Sequence, residues 1–192
     1  TRSIASRQLR RAQLVIARDP ISHEYVGNHA PRATSRLATD QVFALPRFER
    51  TADRDVLFNV SGLLWNTESH GSSVAYRAAV RGAIAMLLNQ GRRVDLLAHV
   101  LDNASLDNDV PVIHELASEY GLEALVPSST SEVRQMIARA NVLIGSRMHA
   151  CLNAVSQGVP AIPWAYSRKF QPLFTSLGLE SVIDLRRSPS EI

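Results

Sequence analysis

The sequence is poor in several features that define particular protein classes. Its single cysteine, Cys151, allows no disulfide within this sequence and no metal site built from several cysteines. No apolar run approaches the roughly 18 residues that a membrane-spanning helix needs. The net charge is only +3, and no basic run is interleaved with aromatic residues. We therefore expect a cytoplasmic protein, at most peripheral to the inner face of the membrane, with no transmembrane segment and no nucleic-acid partner.

Several common nucleotide-binding and hydrolase motifs are also missing. The sequence contains no GxGxxG, GxxxxGK[ST], HExxH or GxSxG pattern. Dinucleotide binding is therefore only weakly indicated. Asp102, Asp107 and Asp109 have the character of a polar loop rather than of a metal site. No metal is expected.

The first quarter of the chain is irregular. Residues 2–14 predict a helix, and a turn-rich stretch follows around Gly27 and Pro31. Because the sequence opens inside an apparent helix, we expect residues 1–46 to be the C-terminal part of an incomplete N-terminal α/β domain. Residues 47–54 are polar and charged, which predicts a linker.

From residue 55 onward, apolar strands alternate with amphipathic helices. This alternation predicts βαβ units, and so a parallel sheet with helices on both faces over residues 55–185. Residues 55–192 are predicted to form a Rossmann-like C-terminal domain. Strands are predicted at 56–60, 93–98, 122–126, 142–144, 159–163 and 182–183, with helices over 72–90, 109–120, 131–140, 146–157 and 168–177.

The most informative polar residues follow the strand that ends at Ile144. Ser146 is predicted to cap the next helix, whose first backbone N–H groups would form an anion site at the carboxyl end of the sheet. Arg147 and His149 fall on opposite flanks of that helix's apolar face, so neither is forced into the core. Each is either a ligand-binding residue or an ordinary solvated side chain.

Two further segments place polar residues after strands. Lys169 follows the strand at 159–163 and is expected to reach the same crevice, unless it is simply a solvated loop lysine. Arg18 follows the first apolar run, and Asp19 with Ser22 has the pattern of a local turn or helix cap. The alternative for Arg18 is an ion pair with Asp19 at the surface.

Together these segments resemble the C-terminal signature of the polysaccharide pyruvyltransferase family. Residues 145–149 match its Gly-Ser-Arg-x-His element, 158–160 its Gly-Val-Pro, and 166–169 its Tyr-x-x-Lys. Residues 17–22 resemble the Arg-Asp-x-x-Ser element near the end of the family's N-terminal domain. The resemblance covers most of the chain, in order, and implies a GT-B-like α/β fold.

The resemblance also implies an activity. The family transfers pyruvate from phosphoenolpyruvate to two hydroxyls of a sugar, so it implies a ketal-forming enzyme with phosphoenolpyruvate as donor, a sugar or lipid-linked glycan as acceptor, and no cofactor. It assigns Arg147, Lys169, Arg18 and Ser146 to the donor, because guanidinium groups suit phosphate and carboxylate. It makes His149 the general acid that protonates the donor's methylene carbon.

Two other functions fit the same crevice. One is a GT-B glycosyltransferase or sugar epimerase that uses a nucleotide sugar, and the other is a non-catalytic family member that binds glycans. The SHGSS stretch at 69–73 does not match the family. The acceptor sugar, the ketal linkage and the oligomeric state are therefore left open.

Overall fold

The computed structural model describes residues 2–101, 105–179 and 181–186. The chain divides into two compact units. The N-terminal unit consists of Thr1–Leu45 and Arg168–Glu180, and the sheet unit of Pro46–Ser167 and Ser181–Ile192. The sequence had assigned residues 168–180 to the C-terminal domain, and the domain limits themselves stay a prediction.

The N-terminal unit contains two short parallel strands and their helices. The turns expected around Gly27 are absent, because this residue lies within a helix, Pro20–His29. The predicted cap explains that helix: the Asp19 carboxylate accepts a hydrogen bond from the backbone N–H of Ser22 at 2.8 Å, and Pro20 occupies the first turn. The elements are α1 (Arg2–Leu9), β1 (Val15–Ala17), α2 (Pro20–His29), β2 (Ser35–Leu37), a 3-10 helix (Gln41–Ala44) and α8 (Phe170–Ser176), which packs on α2.

The sheet unit is built on six parallel strands, in the order β5-β4-β3-β6-β7-β8. All six strands predicted from residue 55 onward are present, so the predicted Rossmann-like parallel sheet is confirmed. The strands are β3 (Arg54–Asn59), β4 (Val94–Leu97), β5 (Glu123–Leu125), β6 (Ala140–Gly145), β7 (Ala161–Ala165) and β8 (Ile183–Asp184).

Helices connect these strands. The predicted ones are all found, within a few residues of their expected ends. The helix that connects β4 to β5 ends at Gly121. The φ of Gly121 is 67°, a left-handed conformation that glycine adopts without steric strain because it has no Cβ. The helices of this unit are α3 (Gly62–Asn66), α4 (Ser73–Asn89), α5 (Val110–Tyr120), α6 (Thr130–Ala138) and α7 (Met148–Ser156).

The core follows from the apolar character of β3. Val56 and Phe58 are buried against Val80 and Ile84 of α4. Leu57 is equally buried and points to the opposite face, where α6 and α7 contact β6. A strand covered on both sides must be apolar at its centre, and Val56, Leu57 and Phe58 show this pattern. In the described part of the chain, no helix has both the length and the apolar character to span a bilayer.

Candidate functional site

The strand order of the sheet reverses next to β3. From β3 the chain adds β4 and then β5 towards one edge, returns to β6 on the other side of β3, and continues to β7 and β8. Open parallel sheets bind ligands beyond the carboxyl ends of the two strands at this reversal. Those ends are Asn59 of β3 and Gly145 of β6, which are register partners. The adjacent carboxyl ends of β6 and β7 also agree with the sequence-based expectation.

Asn59 fastens three elements together at this point. Its side chain is fully buried, and its Nδ2 donates to the carbonyl of Leu97 in β4 at 2.9 Å. Its Oδ1 accepts from the backbone N–H of Arg147 at 3.0 Å, and its carbonyl accepts from that of Ser146 at 3.2 Å. Asn59 therefore fixes the turn that leads from β6 into α7.

Asp109, immediately before α5, is the centre of a buried polar cluster. It is fully buried, and its carboxylate accepts hydrogen bonds from the backbone N–H groups of Gly62 at 2.8 Å, His99 at 3.1 Å and Val100 at 2.9 Å. A Cβ at Gly62 would lie 2.0 Å from the carbonyl oxygen of Asn108, so only glycine fits this approach. One carboxylate thus joins the segments that follow β3 and β4.

Arg147 completes this cluster. Its Nε and Nη2 donate to Asp109 Oδ1 at 3.2 and 2.6 Å, and its Nη1 lies 2.7 Å from Asp107 Oδ1. Arg147 is buried, so the alternative of a solvated side chain was wrong; these two carboxylates compensate its charge in the buried position. Burial alone would lower the pKa of Arg147, but the hydrogen bonds and charge of Asp109 outweigh that effect and raise it. The guanidinium is a fixed cation.

Ser146 is buried and does not cap α7. The hydroxyl of Tyr76 donates to Ser146 Oγ at 2.7 Å and accepts from the backbone N–H of Ser61 at 2.9 Å. Arg147 stands at the cap position instead, without a side-chain cap. The predicted cap was wrong because the Ser146 hydroxyl is bound instead by Tyr76, which lies 70 residues away in the chain. Burial raises the pKa of Tyr76, so it stays a neutral donor.

His149 is the second residue of α7 and is exposed. Its position outside the core agrees with the helical-wheel expectation. His149 lies two residues after Arg147, in the first turn of the helix that follows β6. An accessible imidazole in the same helical turn as a fixed cation is suited to proton transfer to an anionic substrate.

His99 lies close to this cluster, and the sequence analysis did not single it out. It lies two residues after β4, and its Nε2 is 3.2 Å from Nδ2 of Asn153 in α7. Burial lowers the pKa of His99 from 6.5 to about 4; the charges of His149 and Arg147 act in the same direction, and that of Asp109 opposes them. His99 is therefore neutral at neutral pH.

This lowered pKa predicts a loss of stability in acid. Between pH 6.5 and about 4 the unfolded chain binds a proton at His99 that the folded chain does not, so stability falls with pH by on the order of 3 kcal/mol. His99→Gln should remove this pH dependence of the free energy of unfolding. Urea unfolding at several pH values across that window measures it. His114→Gln, at an exposed position on α5, should keep the wild-type pH dependence. If the free energy of unfolding changed equally with pH in wild type and His99→Gln, the prediction would be contradicted.

The remaining predicted site residues lie in the N-terminal unit. Arg18 follows β1, and its Nη1 lies 2.6 Å from Oδ2 of Asp40. Its predicted surface pairing with Asp19 is not what the structure shows, since Asp19 caps α2. Lys169 stands at the cap position of α8 and is exposed. A shared crevice for Lys169 and Arg147 stays a prediction.

Comparison with known protein families identifies the family of this chain. The polysaccharide pyruvyl transferase family matches residues 1–168. The chain belongs to this family. No curated protein matches the chain. The matched region includes Arg18, Ser146, Arg147 and His149, and it ends one residue before Lys169.

The sequence placed Asp107 and Asp109 in one polar loop with Asp102, which lies outside the described residues. Over the residues that the structure describes, no group of three or more His, Cys, Asp or Glu side chains is placed to hold a metal ion. Asp107 and Asp109 both pair with Arg147. Their carboxylates serve the guanidinium, which explains why two acidic residues stand in this loop.

Proposed function

We propose that this member of the polysaccharide pyruvyl transferase family transfers pyruvate from phosphoenolpyruvate to a sugar of a polysaccharide or its lipid-linked precursor. The methylene carbon of phosphoenolpyruvate takes up a proton, and a sugar hydroxyl attacks the neighbouring carbon. The bond from that carbon to the phosphate oxygen breaks and phosphate leaves. A second hydroxyl then closes the cyclic ketal.

The observation that supports this proposal most is the arrangement around α7. An exposed imidazole, His149, lies two residues after a buried guanidinium, Arg147, at the carboxyl end of the strand where the sheet order reverses. Asp109 fixes the direction of that guanidinium. A fixed cation and a proton donor in the same helical turn suit an anionic enol ester, since this substrate must be held and protonated in one orientation.

Asp107 and Asp109 have different parts in this proposal. The Asp109 side chain is fully buried, whereas that of Asp107 is 41% exposed. We assign Asp109 to holding Arg147 permanently. The carboxylate or phosphate of phosphoenolpyruvate takes the place of Asp107 beside Nη1, because the Asp107 side chain reaches solvent whereas that of Asp109 does not.

Arg18, Lys169 and Ser146 have supporting roles in the proposal. Phosphoenolpyruvate carries both a phosphate and a carboxylate, so it needs more than one cation. Arg18 and Lys169 provide the additional positive charges. The buried hydroxyl of Ser146 keeps the turn into α7 in place through its hydrogen bond with Tyr76, so its contribution to substrate binding is through the adjacent backbone.

The direct test is phosphate release. The full chain is incubated with phosphoenolpyruvate and a panel of sugar acceptors, and phosphate and ketal products are measured. The same panel with nucleotide sugars tests the glycosyltransferase alternative. Acceptor-dependent release of phosphate with ketal formation supports the proposal. Turnover of a nucleotide sugar alone, or binding of glycans without turnover, would contradict it.

Lys169→Ala is expected to weaken phosphoenolpyruvate binding by about 10- to 100-fold, because loss of one charged hydrogen-bond partner costs about 1.5–3 kcal/mol. Isothermal titration calorimetry measures the affinity. Arg168→Ala is the matched control, since Arg168 is the exposed neighbouring cation and is given no role. An affinity equal to that of wild type would remove Lys169 from the donor site.

A further inference from the structure

Arg134 is a buried arginine without an acidic partner in the described part of the chain. It lies in α6 with 2% of its surface exposed. Its Nη1 donates to Asn153 Oδ1 at 2.8 Å and to Ser156 Oγ at 3.0 Å, and its Nη2 donates to the carbonyl of Pro46 at 3.0 Å. All of these partners are neutral acceptors. The guanidinium therefore dictates the orientation of every polar group around it.

The orientation of the Asn153 amide determines which nitrogen of His99 carries the proton. A guanidinium has only donors, so the amide oxygen of Asn153 must face Arg134 and its NH2 group must face the other way. The NH2 group then meets Nε2 of His99 at 3.2 Å. Because an amide NH2 accepts no hydrogen bond, Nε2 must be the acceptor and carry no proton. The neutral ring of His99 consequently has its proton on Nδ1.

The position of His99 places this tautomer at the candidate site. The ring follows β4 at the carboxyl edge of the sheet, and its backbone N–H is bound by Asp109, the carboxylate that also holds Arg147. The ring is only partly buried, and it lies within electrostatic range of both Arg147 and His149. A neutral N–H donor is therefore maintained close to the fixed cation and the exposed imidazole.

We propose that His99 is a further substrate-binding residue, which the Arg134–Asn153 pair holds as the neutral Nδ1–H tautomer so that it donates to an anionic oxygen of the substrate. This inference rests on the proposed function for the identity of that anion, phosphoenolpyruvate. A ring with this fixed tautomer binds the anion without taking up a proton. The two histidines thus divide their tasks, with His99 binding the anion and His149 transferring the proton.

The tautomer is tested without any substrate by NMR of protein labelled with ¹⁵N-histidine. Two-bond correlations distinguish Nδ1–H from Nε2–H, and His99→Gln identifies the signals of this ring. We expect an Nδ1–H pattern that does not titrate through the neutral pH range. Asn153→Asp should change it to a ring protonated at Nε2, because the new carboxylate accepts from both Arg134 and His99. An Nε2–H pattern in wild type, or no change in Asn153→Asp, would overturn the inference.

Two variants of His99 separate a binding role from a structural one. Gln can keep the acceptor towards Asn153 in place of Nε2 but lacks the Nδ1 donor, whereas Asn keeps an N–H near the Nδ1 position and loses the contact with Asn153. His99→Gln should therefore weaken phosphoenolpyruvate binding by about 10- to 100-fold, and His99→Asn by less. If His99 only supports the fold, His99→Asn, which loses the contact with Asn153, should bind phosphoenolpyruvate no better than His99→Gln, and the affinities should follow the free energies of unfolding.

The outcomes also distinguish this inference from the proposed function. If wild type binds phosphoenolpyruvate and His99→Gln binds it equally well, the role of His99 is overturned and the proposed function stands. If wild type neither binds phosphoenolpyruvate nor releases phosphate from it, the proposed function fails, and the ligand assigned to His99 fails with it. Binding by wild type with a shift of the Nδ1–H signal supports both.

Discussion

Asp109→Ala is expected to lower the free energy of unfolding by about 3–5 kcal/mol, the cost of leaving one member of a buried ion pair without its partner. The guanidinium of Arg147 would stay buried with only Asp107 beside it. The backbone N–H groups of Gly62, His99 and Val100 would also lose their acceptor. Urea unfolding followed by circular dichroism measures the change.

Asp107→Ala provides the matched control. Its carboxylate pairs with the same guanidinium but is 41% exposed, so its loss should cost about 1 kcal/mol or less. The double variant Asp109→Leu with Arg147→Met should recover part of the lost stability, because it removes both charges together. If Asp109→Ala were as mild as Asp107→Ala, the cluster could not be what joins β3, β4 and β6.

The sheet was predictable because its strands are buried on both faces. Segments such as Val56-Leu57-Phe58 must then be continuously apolar, and the helices between the strands show a regular apolar face. β2 carries no such signal: Ser35–Leu37 is only partly buried and becomes a strand by pairing with β1. The five-residue helix α3 is likewise too short for a helical period to be detected.

The candidate site rests on a rule about position, and its contacts could not be read from the sequence. The rule that ligands bind at the carboxyl ends of strands pointed to Ser146, Arg147 and His149. The partners of Arg147 could not be found this way, because Asp109 lies 38 residues earlier in the chain and only the fold brings it close. Applied to β4, the same rule would have indicated His99, which follows that strand by two residues.

His149→Ala is expected to reduce turnover by about 10²–10⁴-fold, which is the usual contribution of general acid catalysis. The fold should stay intact, with the free energy of unfolding within about 0.5 kcal/mol of wild type, because an exposed side chain leaves no cavity. Phosphoenolpyruvate affinity should fall less than turnover, since the cations remain. Phosphate release measured against pH is the decisive experiment.

The pH profile separates proton transfer from other roles of His149. The basic limb of the wild-type profile reports loss of the catalytic proton, so it should flatten in His149→Ala while the acidic limb survives. His114→Ala, at an exposed position on α5, should leave turnover and profile unchanged. Turnover of His149→Ala within about threefold of wild type would make the residue a bystander, because a general acid contributes far more than that. A parallel loss of stability and activity would instead make His149 a structural residue.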